Sequence, residues 1–177
     1  RVDEKLQEVG YVQSNIGGNN ITWSEERHYH LIYTQTNGRL HLEVHWHVQP
    51  PTFPFKLDVD YFFERAQPVT IAGVEVLTLS PEDLLLSLCL NAAKDRFSYG
   101  VRAFYDISET TRHYQGKINW EQVQLRASQW GASKPVYLIF YLASKLLGAG
   151  VPDDVLDALK PDGFDPRVET WAREQIF

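Results

Sequence analysis

The 177 residues are 44% hydrophobic and 13% aromatic, proportions that exclude a disordered or low-complexity chain and leave room for one folded domain or two small ones. With 17 Lys and Arg against 23 Asp and Glu, the net charge of −6 argues against a broad basic surface for nucleic acid. The lone cysteine, Cys89, cannot form an internal disulfide and lies in an apolar helical run. With no stretch of 18 apolar residues and no signal-like start, the expectation is a cytoplasmic protein with no membrane partner.

The chain opens on RVDEKLQEVGY, where Val2, Leu6 and Val9 share one face of a short helix and Gly10 suits the position just past its end. Such a helix leads into Tyr11-Val12-Gln13, and the start reads as the middle of a sheet-and-helix unit. Residues 15–20 (NIGGNN) read as a turn. Trp23 is a candidate anchor.

Residues 27–35 and 39–49 then predict a β-hairpin. In RLHLEVHWHVQ, Leu40, Leu42, Val44, Trp46 and Val48 alternate with His41, Glu43, His45 and His47. Period 2 places the apolar set on one face and the polar set on the other. The two strands are joined through Asn37-Gly38, the preferred two-residue hairpin turn, in which both residues take φ > 0. That turn sets a register: Thr34 opposite His41, Ile32 opposite Glu43, His30 opposite His45 and His28 opposite His47. Side chains directly opposite have Cβ atoms about 4.5–5.5 Å apart, so four histidines and one carboxylate share a patch. A slip of one residue would scatter them to both faces.

Three prolines among residues 50–54 take the chain out of this sheet. Tyr61, Phe62 and Phe63 are expected to pack against something apolar. Residues 69–79 read as a strand, or a hairpin bent at Gly73. Ser80-Pro81-Glu82-Asp83 then starts a helix, with serine as cap and proline in the first turn. Helices follow over 81–95, 101–114 and from Asn119 to 129 or 130, with Gln122 completing a capping box. The next is capped by Ser133 and ends near Gly148 and Gly150. Two short helices follow, with Pro152 and Pro166 in their first turns. The fold class is α+β: a small mixed or antiparallel sheet region over 1–79, followed by a helical bundle over 80–177.

The loaded face of the hairpin carries the chemistry. Imidazole nitrogens bind zinc and other transition metals, so His28, His30, His45 and His47, with Glu43 alongside, form a candidate Zn²⁺ cluster for a metal-binding protein or a metal-dependent hydrolase. A one-sided sheet also demands alternating polar residues without any metal. Glu43 stands out because it is the only acid between His28 and Gln49.

LHLEVHWHV, then G-x-x-V-x-x-L-S-P-E-D-L-L, L-N-A-A-K-D-R and F-Y-D-I, together resemble the uncharacterised nucleotidyltransferase family of bacteria. The LQEVGY start, N-W-x-x-V at Asn119–Val123 and L-L-G-x-x-V-P at 146–152 fit the same family, so the resemblance spans nearly the whole chain. It implies a nucleotidyltransferase fold and Mg²⁺-dependent transfer of a nucleoside monophosphate from a nucleoside triphosphate to an acceptor, with release of pyrophosphate. The acceptor is unknown.

In such enzymes carboxylates hold two Mg²⁺ ions. An acidic pair, D-x-D or D-x-E, stands on one strand and a third carboxylate on a neighbouring strand, and Glu43 matches the third. By the same resemblance, Lys94 and Arg96 are cations for the triphosphate and Asp106 matches the family's D-I position. His45 either orients Glu43, touches a phosphate or serves as a metal ligand. The acidic pair has no counterpart before Glu43: Asp3 and Glu4 are adjacent in a helix, and Asp58 and Asp60 come after it without a glycine-rich turn. The pair is expected upstream of Arg1, and a protein truly lacking it would be inactive. A non-catalytic interaction domain of the same fold is the third reading.

Overall fold

The computed structural model describes residues 2–14, 29–50, 52–95 and 100–176. The chain separates into two compact units, Arg1–Phe53 and Pro54–Phe177. The first holds helix α1 (Val2–Glu8) and strands β1 (Tyr11–Gln13), β2 (His30–Gln35) and β3 (His41–His45). These strands form an antiparallel sheet in the order β1-β2-β3. Gly10, at φ +83°, reverses the chain between α1 and β1, a backbone state that glycine adopts without a Cβ penalty.

The hairpin register is the expected one: Thr34 faces His41, Ile32 faces Glu43 and His30 faces His45. The turn that delivers it differs. Gly38 has φ +70° and Asn37 does not have positive φ. Gln35 N–H donates to Leu40 O (2.9 Å) and Gly38 N–H to Gln35 O (2.7 Å), while the Asn37 side chain accepts from Arg39 N (3.0 Å). The loop is therefore four residues, 36–39. It adds one residue to each side of the predicted two-residue turn, so the pairing is unchanged.

β3 is also shorter than the alternating stretch that predicts it. The N–H groups of Trp46 and His47 both donate to Tyr29 O (3.1 and 3.4 Å), and the ladder stops there. The apolar face is only partly covered: Tyr33 is buried, but Leu40, Leu42 and Trp46 are exposed. Helix α1 likewise buries no residue, although the Tyr33 hydroxyl donates to Asp3 Oδ1 (3.2 Å) and so ties it to the sheet.

Among its described residues the second unit contains α2 (Asp60–Glu64), the antiparallel hairpin of β4 (Gln67–Ile71) and β5 (Val74–Thr78), and six further helices. These are α3 (Pro81–Lys94), α4 (Arg102–His113), α5 (Trp120–Gln129), α6 (Ser133–Leu147), α7 (Asp153–Leu159) and α8 (Arg167–Ile176). The β4–β5 hairpin belongs with the helices, so the compact units divide earlier than the change to purely helical sequence at 79/80. Among the aromatic residues of 61–63, Phe62 is buried and meets Trp130, whereas Tyr61 and Phe63 are exposed.

The core lies where α3, α4, α5 and α6 converge. Leu85, Leu86, Cys89 and Leu90 pack with Phe104, Ile107, Val123, Val136, Ile139 and Phe140, none of them exposed. Their spacing of three and four residues keeps each set on one helix face, and each fully buried large apolar side chain contributes roughly 1.5–3 kcal/mol.

The caps follow the sequence in part. Ser80 Oγ accepts from Asp83 N (3.2 Å) and Asn119 Oδ1 from Gln122 N (3.1 Å). Gln122 does not close a capping box, because Asn119 N–H donates instead to Glu82 Oε1 of α3 (2.9 Å). Ser133 is the first residue of α6 and makes no cap; the flanking residue is Ala132. Pro152 stands at the cap position of α7, one residue before its first turn, and Pro166 directly precedes α8.

Beneath α3 lies a polar knot. Asp83 is fully buried and accepts two bonds from Arg65, Nε at 2.8 Å and Nη2 at 3.1 Å, and a third from Arg126 Nη1 at 3.0 Å. Arg126 also reaches Ser80 Oγ (3.3 Å) and lies 3.8 Å from Glu82. A buried carboxylate persists only when its charge is paired and its lone pairs are bonded, and here both conditions are met.

Candidate functional site

In the first unit, β2 and β3 place Glu43 in the middle of the polar sheet face, opposite Ile32. Glu43 is exposed, and one carboxylate oxygen lies 2.9 Å from His45 Nε2. The two side chains are two residues apart on one strand, so the pleat puts them on the same face. His45 is held from its other nitrogen too, with Nδ1 3.3 Å from His47 O. On the neighbouring strand, His30 stacks on His45 with ring centroids 4.9 Å apart, and the Tyr29 ring meets both edge-on. The imidazole beside Glu43 thus sits between two acceptor oxygens, one at each ring nitrogen, and against two rings.

Further along the same face, His41 Nδ1 lies 3.1 Å from Thr34 Oγ1, and that hydroxyl is also bonded to Ser14 Oγ. Ser14 comes to this face through the pairing of β1 with β2, which no local pattern in the sequence signals. His47 is not part of the patch in the expected way: it lies beyond the end of β3, and its Nδ1 accepts from Gln49 N (3.1 Å).

The four-histidine cluster is only partly visible, because His28 lies outside the described residues. Among the described residues, no group of three or more His, Cys, Asp or Glu side chains is arranged to hold a metal ion. The Asp58-Val59-Asp60 sequence is not a strand pair: Asp58 Oδ1 accepts from Asp60 N (3.0 Å) at the start of α2.

The remaining candidates belong to the second unit. Lys94 ends α3, with Nζ 3.9 Å from Asp95. Asp106 is exposed on α4. Arg96 lies outside the described residues.

Fold and site together define an α+β protein with a carboxylate–imidazole pair on an open sheet face. A family model, that of the uncharacterised nucleotidyltransferase, matches residues 1–148, and the chain belongs to this family. Its general character is therefore nucleotidyltransferase-like. No curated protein and no solved structure matches the chain. Among the described residues, no helix is long and apolar enough to cross a membrane.

Proposed function

We propose that the protein transfers a nucleoside monophosphate from a nucleoside triphosphate to an acceptor, with Glu43 as one of the carboxylates that hold Mg²⁺. The observation that supports this is the placing of Glu43: the only acid of its hairpin, exposed, and centred on the polar face. Mg²⁺ takes hard oxygen ligands and is usually held by one or two carboxylates, together with waters and phosphate oxygens. Glu43 suits that role as a single ligand, beside the acidic pair that the family resemblance implies. His45 suits it less, since imidazole is a softer donor. Its bond to the Glu43 oxygen makes it a positioning residue, one that turns the carboxylate. When bound, Mg²⁺ would neutralise phosphate charge, which together with positioning accounts for most catalysis of this kind. Lys94, Arg96 and Asp106 are proposed as nucleotide-contacting groups on the family resemblance.

The test is calorimetric titration of ATP, CTP, GTP and UTP, with and without Mg²⁺, into protein that carries its upstream residues. The expected result is Mg²⁺-dependent binding of at least one triphosphate that collapses in Glu43→Gln. His45→Ala should retain binding with a weaker Mg²⁺ dependence. Binding unaffected by Glu43→Gln, or stoichiometric Zn²⁺ uptake with no triphosphate binding, would overturn the proposal.

A further inference from the structure

The second unit holds a cavity of about 510 Å³ where the end of α4, the loop into α5 and the end of α6 meet. None of the groups assigned above to metal or nucleotide lines it. Its size falls within the range of small-molecule pockets, about 300–1,000 Å³.

The lining sorts by chemistry. Ser108 and Thr111 are buried, and each has committed its single hydroxyl hydrogen: Ser108 Oγ donates to Leu147 O (3.4 Å) and Thr111 Oγ1 to Ser108 O (2.9 Å). A hydroxyl has one hydrogen and two lone pairs, so both present acceptors, which a ligand N–H or O–H would match. Arg112 brings the opposite chemistry. Its guanidinium pairs with Glu109 on its own helix and its side chain is 67% exposed. Such a pair is weak in water, and a ligand carboxylate or phosphate can take its place. Trp120 supplies a flat apolar surface, and its indole is set edge-on against Phe140 (centroids 6.1 Å, planes at 84°).

Gly150 also lines the cavity. Its φ lies outside the left-handed region, and a Cβ built there meets nothing within 4 Å. Backbone conformation does not demand glycine at this position. The missing side chain keeps the space open.

We propose that this cavity binds a small amphoteric molecule with a flat apolar body. A donor group of the ligand meets Ser108 and Thr111, its anionic group meets Arg112, and its body lies against Trp120. Two sources share this chemistry: an aromatic amino acid, and a nucleoside monophosphate whose base carries an amino group.

The test is calorimetric titration of the full chain with L-tryptophan and, separately, with AMP. The variants are Arg112→Gln, which removes an exposed charge, and Gly150→Leu, which fills open space; circular dichroism checks that each is folded. The expected result is that one of the two probes binds, that each variant weakens it at least tenfold, and that Glu43→Gln binds it as the unaltered protein does. The probe that binds identifies the source. No binding of either probe at millimolar concentration, or binding indifferent to both variants, overturns the proposal. Loss of AMP binding in Glu43→Gln also overturns it, because the nucleotide would then occupy the Glu43 site.

Discussion

Glu43 and Asp83 show how differently one carboxylate can be used. Glu43 stands in solvent with one imidazole partner, so its charge is available to a cation. Asp83 is enclosed by two arginines, so its charge holds the fold. Removing one member of a buried, hydrogen-bonded charge set leaves the others unpaired and costs about 3–5 kcal/mol. Asp83→Ala is therefore expected to lower stability by about that amount in urea denaturation, while Glu43→Gln leaves the midpoint nearly unchanged. Buried acids of weaker strength matter at high pH. Burial pushes the Cys89 thiol well above its usual range. Burial first, then Asp3, raises Tyr33; burial first, then the hydrogen bond to Glu169, raises Tyr141. A raised folded pKa favours the protonated native state. This contribution is complete below the unfolded values, about 8.5 for Cys and 10 for Tyr, and is lost as pH rises through them towards the folded ones. Under reducing conditions, urea midpoints should hold from pH 7 to about 8.5 and fall above it, and Cys89 should resist a thiol reagent until the chain unfolds.

Among the elements, the two hairpins solve the turn problem in opposite ways. The Asn37-Gly38 hairpin carries the sequence most suited to two positive φ values but uses only one of them, because Asn37 bonds through its side chain. The β4–β5 hairpin has a true two-residue loop, Ala72-Gly73, with φ of +50° and +81°. An L-residue with a Cβ in that region is disfavoured by roughly 1–2 kcal/mol, so Ala72 is strained. Ala72→Gly or Ala72→Asn should raise the thermal midpoint modestly, corresponding to about 0.5–1 kcal/mol. A fall in midpoint would mean that Ala72 carries no such strain in solution. The helix caps teach a related lesson. Ser80 and Asn119 cap as their sequences suggest, but the second half of the Asn119 box is taken over by Glu82, 37 residues earlier in the chain.

At the scale of the molecule, the core is unevenly shared. Of the buried hydrophobic residues among those described, Tyr33 alone belongs to the first unit; the others, from Phe62 to Ala172, belong to the second. A fragment of residues 54–177 is therefore expected to keep its helical circular dichroism and unfold cooperatively, whereas 1–53 alone should not. Loss of helix in the longer fragment would mean that the core needs the first unit. The helical half was legible because its signals are local: period 3.6, caps, and glycine beyond helix ends, as with Gly148 at φ +66°. The Glu43 face was legible because alternation and one turn set the register. Ser14 at that face, the Asp83 knot and the cavity by Arg112 were not, since each joins residues far apart in the chain.

By itself, then, the sequence determined which side of the hairpin carries Glu43 and His45, and where most of the helices lie, because strand and helix periodicities are properties of neighbouring residues. Only the tertiary structure decided where β3 stops, that Asp60 begins a helix with Asp58 bonded just ahead of it, and that Asp83 rather than any surface acid is enclosed by arginine. Those outcomes depend on hydrogen bonds and burial between distant segments, whose energies no short stretch of sequence contains.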